Sequence, residues 1–320
     1  MDECLAALDI GTNTVLLLLA RSRPDGVIAE VQDFCRTTRL GEDTGRTGRL
    51  SPAAMERTLA TVAEFFGRLS GIGGRGRGIA AATSAARDAA NGAEFLERCA
   101  ACIGGRPHLL SGEQEARTVF RGAASDQAAG QFVITIDIGG GSTEIAGGFA
   151  DRCLYSTSLN LGCVRFGERF GLYEVPDAAA VAAARAATVA LLAPVCAQVK
   201  AVVPAGTPWK VIASGGTATT YAAMHLGLVR YDARAVHGYV GSRAGLVQDL
   251  ARLWSLPSAK RAELPGVTAG RAPVLPTGVM ILEEALGLLG AAAVFVTTRG
   301  LRYGLALRLR DGELAPTWTW

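Results

Sequence analysis

The chain has 320 residues, 49% hydrophobic and 19% charged, with a formal net charge of +3. That length exceeds one small core and indicates two lobes, and so small a net charge excludes the global basic field of a nucleic-acid binder. Mean hydropathy is +0.26, yet no uninterrupted apolar run approaches the roughly 20 residues that span a bilayer, so no membrane association is expected.

The most hydrophobic stretch, 278–296, is broken by Glu283 and Glu284. The opening Met1-Asp2-Glu3 is acidic where a signal peptide carries positive charge. A cytoplasmic location is therefore expected, where the seven cysteines remain reduced thiols. Cys99 and Cys102 form one CxxC without a second pair or nearby His, so they read as small buried hydrophobes on a helix. The 32 Lys plus Arg include three Lys (Lys200, Lys210, Lys260), leaving 29 Arg, the side chain whose planar fork suits phosphate.

In chain order, 5–9 reads as a strand, 10–14 as a turn and 15–21 as the returning strand of a hairpin. Pro24-Asp25-Gly26 marks a turn before a third strand over 27–34. Ser51 and Pro52 supply the N-cap and first position of a helix to about 69. The stretch Gly73-Gly74-Arg75-Gly76-Arg77-Gly78 looks like an RGG fragment and is expected to be a solvated turn. A strand over 79–82, a helix over 93–103, a short strand over 108–110 and a helix over 112–122 capped by Ser111 follow.

The pattern then restarts: strand 132–137, turn 138–143, strand 144–149, strand 153–159 and an Ala-rich helix over 177–202. A strand over 210–213 leads to Ser214-Gly215-Gly216-Thr217 at the start of another helix. A last strand, 294–296, precedes a final helix over 301–310, and Trp318 and Trp320 are expected to pack onto the body. Two lobes that each open with strand, acidic turn and strand amount to an internal duplication. The expected boundaries place 1–124 with about 301–320 in one lobe and 125–300 in the other.

The chemistry lies in the turns. In Asp9-Ile10-Gly11-Thr12-Asn13-Thr14, glycine permits close backbone approach, so N–H groups can converge on an anion. Thr12, Asn13 and Thr14 add donors, while Asp9 is unfavourable beside phosphate unless a cation intervenes, which argues for Mg²⁺. A plain hairpin turn has the same composition. In Asp137-Ile138-Gly139-Gly140-Gly141-Ser142-Thr143-Glu144, three successive glycines cost conformational entropy that a simple turn does not require. Its two flanking carboxylates are hard ligands suited to Mg²⁺. Ser214 to Thr217 form a glycine-rich helix start, an anion site of low specificity. Glu113 and Glu115 read as complements to a helix dipole, and Arg87 as a surface charge after a strand.

Together these segments resemble the exopolyphosphatase/guanosine pentaphosphate phosphatase (Ppx/GppA) family of the actin-like ATPase superfamily. The resemblance runs through Asp9 to Thr14, Thr38-Arg39-Leu40-Gly41-Glu42, Ala82 to Asn91, Ser111-Gly112-Glu113-Gln114-Glu115-Ala116-Arg117, Ile136 to Glu144 and Leu161-Gly162-Cys163-Val164-Arg165. Ala213 to Thr217 and Arg299-Gly300-Leu301-Arg302 extend it to the C-terminus. It implies an α/β fold of two duplicated RNase H-like (actin-like ATPase) domains with a cleft between them. It further implies Glu115 as general base; Asp9, Asp137 and Glu144 as ligands of Mg²⁺, with Mn²⁺ as a substitute; and Gly11, Thr12, Asn13, Thr14, Arg87, Gly139, Gly140, Gly141, Ser142, Thr143, Ser214, Gly215, Gly216 and Thr217 as substrate-binding.

The activity implied is removal of terminal orthophosphate from polyphosphate, with hydrolysis of guanosine pentaphosphate (pppGpp) as the alternative. A non-hydrolytic polyphosphate or alarmone sensor would be expected to lack the base or metal carboxylates, which are all present. An actin-like or sugar kinase would bind adenosine near Ser214 to Thr217. The resemblance also implies a homodimer and a short form without the all-helical HD-type domain of longer relatives, hence a preference for shorter polyphosphate. Thr12 and Thr14 replace the usual serines with retention of hydroxyls. Pro273 stands where family members commonly carry Asp, which leaves the contacts at that edge open.

Overall fold

The computed structural model describes residues 3–23, 27–71 and 75–320. Met1-Asp2, the turn expected at Pro24-Asp25-Gly26, and Gly73-Gly74 of the RGG-like stretch lie outside the described residues. The chain forms two compact units, Met1–Gly122 with Leu301–Trp320, and Ala123–Gly300.

From the N-terminus come β1 (Glu3–Ile10), β2 (Thr14–Ser22), β3 (Ile28–Thr37), α1 (Thr44–Thr47), α2 (Pro52–Gly67), β4 (Gly76–Ala82), α3 (Ser84–Asp88), α4 (Gly92–Ile103), β5 (His108–Leu109) and α5 (Gly112–Ala123). The second unit holds β6 (Phe132–Ile138), β7 (Thr143–Phe149), β8 (Arg152–Leu159), α6 (Cys163–Phe170), α7 (Ala178–Ala201), β9 (Trp209–Ser214), α8 (Gly215–His225), α9 (Ala233–Val236), β10 (Val240–Ser242), α10 (Arg243–Trp254), α11 (Ser258–Arg261), α12 (Leu275–Leu289) and β11 (Ala293–Val296). The chain then returns to the first unit as α13 (Leu301–Arg310) and β12 (Trp318–Thr319).

The two sheets repeat one topology. In the first, β3, β2 and β1 form an antiparallel meander, and β4 joins β1 in parallel with β5 beyond it. In the second, β8, β7 and β6 form the meander, β9 joins β6 in parallel, and β11 joins β9. This shared order is that of an RNase H-like domain, so the repeat read from the two acidic turns is a repeat of whole architecture.

The strands at the centre of each sheet are apolar because both faces are covered. Successive side chains of a strand point to opposite faces. On β1, Ala6, Leu8 and Ile10 enter a core with Phe65 of α2 and Phe95 of α4, while Leu5 and Ala7 enter another with Leu305 and Leu309 of α13. In the second unit Phe132, Ile134, Ile136 and Ile138 share one face of β6, packed with α7, α8, α10 and α12. The capping read from sequence is present on α2, where Ser51 Oγ accepts from Ala54 N and Pro52 occupies the first turn.

The RGG-like stretch is not a solvated turn over its second half. Gly76 and Gly78 belong to β4, and a Cβ there would lie 2.2 Å from Trp320 and 2.0 Å from Trp318. Those glycines admit the two indoles of the C-terminal tail, which pairs with β4 through β12. Among the described residues α7 alone is long and apolar enough to cross a membrane by length and composition. Its Ala184, Leu192 and Val199 are buried in the core of the second unit, and its Arg185 pairs with Glu283 at 2.8 Å and with Glu284.

Candidate active site

The two acidic turns carry the same internal bonding. Gly11 N donates to Thr14 O and Gly139 N to Ser142 O, each at 2.9 Å. Each turn closes between register partners, Ile10 with Val15 and Ile138 with Thr143, so Asp9 and Asp137 occupy equivalent strand ends. The carbonyls of both turns are drawn into the fold by the segment after the third strand. Asn13 O accepts from Thr38 N and Arg39 N at 3.0 and 3.1 Å, and Thr12 O from Gly41 N at 2.9 Å. Gly139 O accepts from Cys163 N, and Gly140 O from Val164 N and Arg165 N, at 2.9 to 3.0 Å.

Among the described residues, no backbone carbonyl accepts from the N–H groups of Thr12, Asn13, Gly140 or Gly141. Successive unengaged amides on a glycine turn form a concavity suited to an oxyanion. Asn13 is 3% exposed and, among the described residues, its Nδ2 finds no partner. A buried donor without an acceptor costs free energy, and a phosphoryl oxygen would satisfy it.

In the first unit the parallel pairing of β1 and β4 sets Ile10 beside Ala82, and β5 sets Leu109 on the other side of Ala82. Turn 1, the start of α3 and the start of α5 therefore lie at one end of one sheet, where open α/β folds bind ligands. Ser111 and Gln114 form a reciprocal capping box on α5, with Gln114 N to Ser111 Oγ at 3.2 Å and Ser111 N to Gln114 Oε1 at 2.9 Å. Glu113 pairs instead with Arg117 at 3.0 Å. Glu115, whose side chain is 8% exposed, receives Arg87 Nη1 at 3.0 Å, and the same nitrogen donates to Leu110 O at 2.9 Å. Arg87 Nε lies 3.8 Å from Asp88. Arg87 is therefore not a loose surface charge: it joins α3 to α5 through the expected base.

In the second unit four residues form one row across four strands: Ser158, Glu144, Asp137 and Ser214 are successive register partners. Ser214 Oγ donates to Asp137 Oδ2 at 2.5 Å and Ser158 Oγ to Glu144 Oε1 at 2.7 Å. Two carboxylates opposite each other on one face repel, and a divalent cation offsets that repulsion. Within neither unit, among the described residues, are three or more His, Cys, Asp or Glu placed to share an ion. A two-carboxylate oxygen set still fits Mg²⁺, which keeps several waters and binds through one or two carboxylates plus substrate phosphate. The row of Asp9 holds Leu16 and Ala81 instead, so no second carboxylate stands beside Asp9 on that row.

Three hydroxyls expected at the substrate are engaged within the fold. Ser214 supports Asp137; Thr143, wholly buried, donates to Leu161 O; and Thr217 Oγ1 is 3.4 Å from Ile138 O. Thr143 and Thr217 are buried in a strand and a helix turn, whereas Ser214 faces the carboxylate row. Gly215 has φ 80°, and a Cβ there would lie 2.3 Å from Asp137 Oδ1, so glycine lets the start of α8 approach that carboxylate.

Two residues the sequence reading passed over belong to the same place. Ser158 gave no signal beyond strand alternation. Arg271 lies in the turn before α12 with its guanidinium against Gly216, where a Cβ would be 2.0 Å from Nη2. Pro273 sits in that same turn, which is closed by Val274 N to Arg271 O at 3.1 Å. Cys163 is buried beneath turn 2; burial pushes its thiol up, against smaller opposing effects of Arg271 and Thr217. A buried, protonated thiol is unsuited to nucleophilic catalysis.

Residues 19–313 match the family described as the Ppx/GppA phosphatase family. Exopolyphosphatase 2 of Mycobacterium tuberculosis is 32% identical over 318 residues, covering 95% of this chain and 98% of that protein. A guanosine-5'-triphosphate,3'-diphosphate pyrophosphatase of Vibrio vulnificus is 30% identical over 95% of this chain and 59% of its own length. A solved Ppx/GppA family member of Aquifex aeolicus shares 27% identity with a TM-score of 0.78, covering 98% of this chain and 100% of that one.

Proposed function

The chain belongs to the Ppx/GppA phosphatase family, and we propose that it is a Mg²⁺-dependent exopolyphosphatase, hydrolysing the terminal phosphoanhydride of inorganic polyphosphate to release orthophosphate. The observation that carries this reading is the Arg87–Glu115 pair at 3.0 Å, beside a turn where, among the described residues, the Thr12 and Asn13 amides find no backbone acceptor and Asn13 Nδ2 no partner. Phosphoryl transfer needs an oriented nucleophile and fixed positive charge far more than a covalent intermediate.

Glu115 accepts a proton from water as its oxygen attacks the terminal phosphorus. The bridging P–O bond breaks, and the shortened chain departs with the bonding electrons on its terminal oxygen. Arg87 fixes the orientation of Glu115, and the amides of the turns and Arg271 hold phosphoryl oxygens. Asp137 and Glu144 would hold Mg²⁺, which when bound would neutralise charge developing on phosphoryl oxygens.

Hydrolysis of pppGpp uses the same chemistry, and the Vibrio vulnificus relative supports it as the second reading. Phosphate release from polyphosphate, pppGpp and ATP, side by side with and without Mg²⁺, tests both. Release from polyphosphate that stops on chelation is expected; turnover of ATP alone would overturn the proposal.

A further inference from the structure

Arg39 takes no part in the reaction as written, yet its backbone is held at φ 52°. A Cβ disfavours this left-handed region, which glycine occupies freely. The conformation is imposed by the segment that pins turn 1. Arg39 N and Thr38 N both donate to Asn13 O, and Gly41 N donates to Thr12 O, with a Cβ on Gly41 only 2.3 Å from the Thr12 methyl. Leu40 between them is wholly buried. From behind, Arg57 Nε donates to Thr38 O at 3.1 Å and its Nη2 to Glu42 at 2.6 Å.

A long cation therefore stands on the rim of turn 1 at a position where glycine would be unstrained. It is exposed, and among the described residues it has no acidic partner: Glu42 is taken by Arg57, and Asp43 by Arg46 at 3.3 Å. Two buried polar atoms adjoin it without partners among the described residues, Asn13 Nδ2 and Thr38 Oγ1, on residues 3% and 2% exposed. Strained non-glycine backbone that persists at a ligand site is commonly part of the site's working. A guanidinium fork is matched to phosphoryl oxygens.

We propose that Arg39 is a further substrate-binding residue, holding an internal phosphoryl group of the polyanion behind the one cleaved. The inference rests on the polyphosphate reading above, and binding separates the two. The variant is Arg39→Gly, which removes the cation while relieving the backbone, so it should melt at or above the wild-type temperature. The measurement is the affinity of a fluorescently labelled polyphosphate in chelator, where turnover is suppressed, across a salt series.

Roughly tenfold weaker binding is expected for the loss of one charge-assisted contact. The slope of log affinity against log salt should fall by about one counterion, and Arg39→Lys should restore it. If the wild type releases no phosphate but this loss persists, the hydrolase reading fails and the binding role of Arg39 stands. Equal affinity and an equal slope in the wild type and the glycine variant would overturn the inference.

Discussion

Asp137 and Glu144 are register partners on β6 and β7, and each carboxylate accepts a hydrogen bond from a serine one strand further out, Ser214 at 2.5 Å and Ser158 at 2.7 Å. Each carboxylate thus has one oxygen steadied by a hydroxyl from its own row. Outer partners of this kind orient metal ligands, and their loss costs about 10- to 100-fold in metal affinity or activity.

Ser158→Ala and Ser214→Ala are therefore expected to raise the Mg²⁺ concentration giving half-maximal turnover by about 10- to 100-fold. Asp137→Asn or Glu144→Gln should do more, since each removes a ligand charge. The check is a Mg²⁺ titration at saturating polyphosphate. An unchanged midpoint in both serine variants would remove the row from metal binding.

Glu115→Gln keeps the shape of the side chain and an acceptor for Arg87 Nη1, but it cannot take a proton from water. Turnover is expected to fall by at least ~10²-fold with substrate binding retained, the lower end for loss of a general base. Single-turnover phosphate release alongside polyphosphate binding separates the two quantities. Wild-type turnover in this variant would dismiss Glu115 from the role.

Much of this arrangement was legible because its signals are local. The composition Asp-x-Gly with hydroxyls dictates a tight turn, its recurrence implied duplicated units, and Ser51-Pro52 and Ser111 placed two helix starts. What the chain concealed depends on pairing at a distance. Ser158 becomes significant only when β8 registers against β7, and Arg271 only when the turn before α12 lies on Gly216. The glycines at 76 and 78 read as part of a solvated turn because nothing nearby announces the indoles of Trp318 and Trp320. Helices α6, α10 and α12 went unread: α12 is buried almost all round, which erases the amphipathic period that marks a surface helix.

Gly216 and Arg271 supply a coupling test. A methyl on Gly216 would fall 2.0 to 2.4 Å from the Arg271 guanidinium, the flexible end of a long side chain, so Gly216→Ala should displace the charge without unfolding the unit. Both Gly216→Ala and Arg271→Ala are expected to raise KM for polyphosphate by roughly tenfold, as for one charge-assisted contact. The double variant should lose little more than either alone, because neighbours acting through one contact are not additive. Fully additive losses would show that they act separately.

Asp126 provides a pH test within the second unit. Burial pushes its carboxyl up, but hydrogen bonds from His237, at 2.7 Å, and Gln127, with the nearby charges of Arg299 and His237, together hold it below the usual carboxylate range. A carboxyl depressed on folding contributes stability that is complete above its unfolded value, about 3.9, and is lost as pH falls through the folded one. The wild type should therefore exceed Asp126→Asn in Tm near pH 6. That margin should narrow as pH drops from about 4 toward 2.5, because protonated Asp126 then resembles the amide. Thermal melts of both proteins across this range measure the difference directly, so the other carboxylates, common to both, cancel. A margin that stays constant from pH 6 to about 2.5 would mean that the Asp126 charge does not stabilise the fold, and that its contact with His237 acts through shape alone.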